Sequence, residues 1–253
     1  MLLNYKKLGE SGSTVIILHG LLGSLDNWQS IAKQLSEKQE VFIIDQRNHG
    51  RSPHTDEMNY QVLSEDLKAF CVQQQIHKTT IIGHSMGGKA AMFFALQYPE
   101  MLDKLIIVDI APSFYDGNHE SILFAMAEAP LKSTQSREDI DKFLSARIYD
   151  FGVRQFILKN LSRNKEGHFE WKCNLEALIL NYRLLMDFPK SEKQFSGNTY
   201  FIKGENSNYI NQDNFDACDH YFPNNKMLEI KNAGHWVHAD QPALFLEKLK
   251  MIL

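Results

Sequence analysis

Residues 83–87 read Gly-His-Ser-Met-Gly, and they stand between the apolar run 79–82 (TTII) and the helical stretch 89–97 (KAAMFFALQ). A strand that passes at once into a helix turns so sharply that the side chain at the turn is thrown clear of the backbone. Glycines two places before and two places after remove the Cβ atoms that would collide there. The helix points its amino end at the serine, which favours developing negative charge. Ser85 is therefore the predicted nucleophile. A chance glycine-rich turn is the competing explanation, and the strand-to-helix placement argues against it.

The rest of the first half fits such a turn. Runs 15–18 (VIIL), 41–44 (VFII) and 105–108 (LIIV) are short and apolar without alternation, the pattern of strands buried on both faces. Segments 28–35, 63–75 and 89–97 carry the spacing of helices packed on a sheet. Strand alternating with helix predicts a parallel sheet, with reactive groups at the carboxyl ends of its strands. From 111 to 197 the pattern is helical, around 121–129, 137–146, 153–161 and 175–186, with no clean strand run. Strands return at 199–202 (TYFI) and 227–230 (MLEI), and a helix over 242–252 closes the chain. The predicted organisation is one α/β core, 1–111 with 198–253, and a helical cap, 112–197, over the strand ends.

A nucleophilic serine needs a base, and the chain order nucleophile, acid, histidine places it near the C-terminus. His235, in NAGHW directly after MLEI, is the predicted base, and His238 is read as structural. The oxyanion donors are predicted to be the amides of Met86 and Leu21. The second lies in HGLLG (19–23), where Gly20 and Gly23 let the backbone curl inward. His19 is expected to hydrogen-bond its own loop. The acid is less direct. After TYFI the chain reads Gly204-Glu205-Asn206-Ser207-Asn208-Tyr209, so Ser207 stands where a carboxylate is commonest. A serine cannot stabilise an imidazolium by charge. Asp109, at the end of the strand after the turn helix, is the natural source, provided its strand lies between those of Ser85 and Ser207. A capping role competes for Asp109, and Glu205 is the second candidate acid. Asp45, Arg47 and Arg51 are expected to brace a turn, and Asp66 to be solvated or capping. Of the aromatics Phe124, Phe151, Phe156, Trp171, Tyr182 and Phe188, most should pack the cap and one or two face a cleft.

A net charge of −4 with dispersed basic residues gives no reason to expect nucleic acid or anionic membrane as a partner. No apolar run approaches the ~20 residues of a membrane span, and the first ten residues lack the features of a secretory signal. Cys71, Cys173 and Cys218 are far apart and form no CxxC. They suggest neither a metal site nor a disulfide framework, and favour a cytoplasmic setting.

Five segments in this order, HGLLGS, DQRNHGRS, GHSMGGKAAM, VDIAP and AGHWVHAD, resemble the YbfF-type esterases of the α/β-hydrolase superfamily. Lys89 after the double glycine, together with VDIAP, narrows the likeness to that branch. The resemblance implies an α/β-hydrolase fold with a mostly parallel sheet, eight-stranded or nearly so, and a four-helix cap between strands 6 and 7. It implies hydrolysis of small-molecule acyl esters or thioesters with neither metal nor organic cofactor. It further implies that Asp109 carries the acid and that Ser207 assists as a fourth member. The same scaffold also serves carbon–carbon bond hydrolases, menaquinone-pathway synthase-like lyases and ligand receptors, and these stay open. Dehalogenases and epoxide hydrolases use an Asp nucleophile, which position 85 is not. Acyl-chain length and oligomeric state are not legible.

Overall fold

The computed structural model describes residues 1–117 and 119–253. Its strands are β1 (Tyr5–Leu8), β2 (Thr14–Leu18), β3 (Glu40–Ile44), β4 (Thr79–His84), β5 (Leu102–Val108), β6 (Leu161–Arg163), β7 (Phe169–Trp171), β8 (Asn198–Gly204) and β9 (Asn225–Ile230). Seven of them form one sheet in the order β1-β3-β2-β4-β5-β8-β9. Every pairing is parallel except β1 with β3.

Successive side chains of a strand point to opposite faces, and both faces here are covered. Ile16, Leu18, Phe42, Ile44, Ile81, Leu105 and Ile107 enter one apolar cluster. Val15, Ile17, Val41, Ile43, Ile82, Ile106 and Val108 enter the other. Helices α1 (Gln29–Leu35), α2 (Tyr60–Gln73) and α3 (Met86–Gln97) supply much of that cover. This is why the strand runs showed no polar alternation.

Between β5 and β8 lie α4 (His119–Ala127), α5 (Arg137–Ser145), α6 (Phe151–Leu158), α7 (Leu175–Leu180) and α8 (Tyr182–Met186). After β8 come α9 (Gln212–Tyr221), α10 (Val237–Asp240) and α11 (Pro242–Ile252). Leu123, Met126, Ile140, Leu144, Ile157 and Leu178 of the insertion belong to the same apolar cluster as the sheet face beneath. The insertion therefore rests on the core rather than enclosing a separate interior.

The sheet agrees with the expectation of eight strands or nearly so, with seven among the described residues, and the insertion lies between β5 and β8. Two expectations are corrected. The insertion is not all helical: β6 and β7 form an antiparallel hairpin. Each is three residues long, too short to show a period, and the helix read over 153–161 stops at Leu158. Asp66 is neither solvated nor capping, being buried and paired with Arg47 (Nε to Oδ2 2.6 Å, Nη2 to Oδ1 3.0 Å). No helix of the described residues is long and apolar enough to cross a membrane.

Candidate active site

Ser85 occupies the turn between β4 and α3 with φ 52° and ψ −121°, a strained conformation for a residue with a Cβ. Two close approaches force the flanking glycines. A Cβ on Gly83 would lie 2.4 Å from the Gly87 carbonyl oxygen, and one on Gly87 would lie 2.5 Å from that of His19. The Ser85 amide donates to the Val108 carbonyl (3.1 Å), which holds the turn against the end of β5.

One residue beyond, Asp109 also has positive φ (54°) and is fully buried. Because β5 lies between β4 and β8, its carboxylate reaches across to the β8 loop. Oδ1 accepts the Gly204 amide (3.0 Å), while Oδ2 accepts the Ser207 hydroxyl and meets His235 Nδ1 at 2.8 Å. An ionised carboxylate only accepts hydrogen bonds, so the His235 proton sits on Nδ1 and Nε2 keeps its lone pair. Asp109, Ser207 and His235 thus form one hydrogen-bonded cluster around a buried carboxylate, and Ser85 and His235 line the same cleft. The serine hydroxyl and the imidazole are not hydrogen-bonded to each other; catalytic pairs commonly tighten that contact only with substrate present. Glu205 instead accepts the Asn232 amide (2.8 Å).

The loop that carries Leu21 is fixed from both sides. His49 Nε2 accepts the Leu22 amide (3.1 Å), and Asn160 of the insertion donates to the Leu22 carbonyl (2.7 Å). The Leu21 and Met86 amides have no protein acceptor among the described residues. His19 binds its own surroundings as expected: Nδ1 donates to the Gly20 carbonyl (2.8 Å), and Nε2 accepts the Gln46 amide (3.0 Å). Asp45 braces the turn through the amides of Leu25 (2.8 Å) and Arg51 (2.9 Å).

Sequence reasoning did not single out Tyr209 and His119. The Tyr209 ring stacks on His235 with centroids 3.8 Å apart, and its hydroxyl pairs with His119 Nε2 (3.3 Å) on α4. Tyr209 stands two places after Ser207, and that adjacency was the available signal. Lys89, noted for its place after the double glycine, is buried. Its Nζ donates to the Met186 and Asp187 carbonyls (2.7 and 3.0 Å). Burial lowers its pKa to about 7, against the pull of the Asp187 carboxylate. Together with the Tyr60 hydroxyl on the Leu185 carbonyl (2.6 Å), it ties the turn helix to the return end of the insertion. Phe156 faces the cleft. Trp171 binds the Met126 carbonyl (3.0 Å), Tyr182 and Phe188 are buried, and Phe124 and Phe151 are exposed.

The cleft measures about 240 Å³, at the small end for ligand pockets. Comparison with known proteins gives a consistent result. The family model for the alpha/beta hydrolase fold matches residues 13–148. The sn-1-specific diacylglycerol lipase ABHD11 of Mus musculus is 36% identical over 247 residues, covering 94% of this chain and 80% of that protein. Esterase YbfF of Escherichia coli (strain K12) is 35% identical over 243 residues, covering 96% and 94%. A solved marine microorganism esterase superposes with a TM-score of 0.97 at 41% identity, covering 99% of both chains.

Proposed function

The chain belongs to the α/β-hydrolase fold family, alongside its YbfF and ABHD11 relatives, and from that premise we propose that it is a serine hydrolase of acyl esters or thioesters. The observation that carries this reading is the 2.8 Å contact between buried Asp109 and His235 Nδ1, in the cleft that Ser85 also lines. Names of relatives add support, since the two quoted are an esterase and a lipase.

The reaction follows in two steps. His235 Nε2 takes the Ser85 proton as the hydroxyl attacks the acyl carbon. The Leu21 and Met86 amides receive the negative oxygen, each contributing on the order of 3 kcal/mol to the transition state. Asp109 stabilises the imidazolium and holds its tautomer. The Ser207 hydroxyl and the Gly204 amide hold Asp109 in turn. His235 then protonates the leaving alcohol or thiol, and water repeats the cycle to release the acid. Segment 112–197 acts as a cap that supplies one wall of the cleft and sets acyl length.

Fluorophosphonate treatment tests the first step. The expected adduct lies on the peptide holding Ser85, and Ser85→Ala should abolish both labelling and hydrolysis of p-nitrophenyl esters. A Ser85→Ala protein with wild-type turnover would end this reading.

A further inference from the structure

The cleft has two unlike walls. The insertion gives it mostly apolar side chains, among them Ile122, Phe156 and Ile157, with the single histidine His119, whereas the core gives it Asn27, Trp28 and His238. The core residues carry polar atoms that the protein leaves unused. Asn27 Oδ1 accepts the Ser24 amide (2.8 Å), and its Nδ2 has no acceptor among the described residues. His238 is stacked on Trp28 with centroids 4.1 Å apart and rings 16° from parallel. It is 8% exposed. Among the described residues Nδ1, which is buried, has no partner, and Nε2 has none either.

Stacking alone does not account for a histidine here. A phenyl ring would stack as well, and burying ring nitrogens without partners is unfavourable. Burial and the neighbouring His235 and Lys159 hold His238 neutral, with its pKa at about 3. Nδ1 has no accessible surface, so a ligand in the cleft can meet only Nε2, which donates or accepts according to the tautomer, and Asn27 adds a donor. Among the described residues no Asp, Glu, Lys or Arg side chain lines the cleft, so a charged substrate group would enter it without a counter-charge.

Resting on the hydrolase reading above, we infer that Asn27 and His238 form a subsite for the leaving group, selecting an uncharged alcohol that carries further hydroxyls. An ester carbonyl held between Ser85 and the Leu21 and Met86 amides sends its two substituents in opposite directions. The apolar wall takes the acyl chain, and the unused polar atoms take the alcohol.

The test compares kcat/KM for 1-butyrylglycerol and 2-methylbutyl butyrate, which differ by two hydroxyls replaced with methyls. Wild type should favour the glyceryl ester by about tenfold or more, since sites built to bond a hydroxyl discriminate strongly against its absence. His238→Phe keeps the stacked ring and removes both nitrogens. Asn27→Asp keeps the oxygen that caps Ser24 and removes the donor. Each should lower the preference about three- to tenfold, as expected for one lost hydrogen bond. Fluorophosphonate labelling of Ser85 in both variants reports an intact site. A wild-type ratio of one or less overturns the inference, as does a ratio unmoved in both labelled variants; the hydrolase reading then stands. A wild type that cleaves neither ester also overturns the inference, and an unlabelled Ser85 overturns the hydrolase reading with it.

Discussion

Acidification should unfold this protein near pH 5, and four buried histidines set that value. His19, His49, His84 and His238 are at most 8% exposed. Burial is the first cause holding each below an ordinary imidazole. His19 falls to about 4, His49 and His238 to about 3, and His84 well below 6.5. The hydrogen bonds agree: Nε2 of His19 and Nε2 of His49 each accept a backbone amide (3.0 and 3.1 Å), and protonation would set donor against donor. Each folded pKa lies below the unfolded value, so the unfolded chain binds more protons as pH falls. Stability is full above about pH 6.5 and is lost as pH drops toward the folded values. At pH 5 each histidine is about 1.5 units below its unfolded pKa, which costs about 2 kcal/mol. Four such groups cost about 8 kcal/mol, comparable with the ~5–15 kcal/mol that holds a domain together. Urea titrations followed by far-UV circular dichroism at successive pH values measure this directly. The unfolding free energy should drop by about 5 kcal/mol per pH unit near pH 5, and His238→Phe should reduce that slope by about a quarter. A slope worth fewer than two protons, or a native spectrum at pH 4, would refute the reasoning.

Three further outcomes are expected. Asp109→Asn should lower kcat on the order of 10⁴-fold, as loss of a triad acid does elsewhere, while Glu205→Gln, which removes a charge but keeps an oxygen to accept the Asn232 amide, should cost less than about threefold; steady-state kinetics on a p-nitrophenyl ester rank the two. Ser207→Ala removes one donor from the buried Asp109 carboxylate, so kcat should fall about ten- to a hundredfold, in keeping with hydrogen bonds to charged groups, with KM little changed. Asn160→Ala leaves the Leu22 carbonyl unpaired and loosens the loop bearing Leu21; a loss of about 1–3 kcal/mol in stability should accompany a several-fold drop in kcat, read from melting curves and kinetics together.

The turn that carries Ser85, and the elements on either side of it, were legible because they are fixed by neighbours along the chain. The apolar run 79–82, the glycines at 83 and 87 and the helix after them dictate a strained turn at Ser85 whatever surrounds it. Runs without alternation announced a sheet covered on both faces. Elsewhere the local signal was absent. Strands of three residues, β6 and β7, cannot display a period, and Asp66 carries no mark in the sequence of its pairing with Arg47. Asp109 and His235 stand 126 positions apart, and only the strand order, with β5 between β4 and β8, brings that carboxylate under that imidazole. The stacking of Tyr209 and the unused polar atoms of Asn27 and His238 belong to the same class. Sequence fixes what local sterics and periodicity can enforce; contacts between distant segments exist only once the sheet is assembled, because burial of both its faces is what chooses their neighbours.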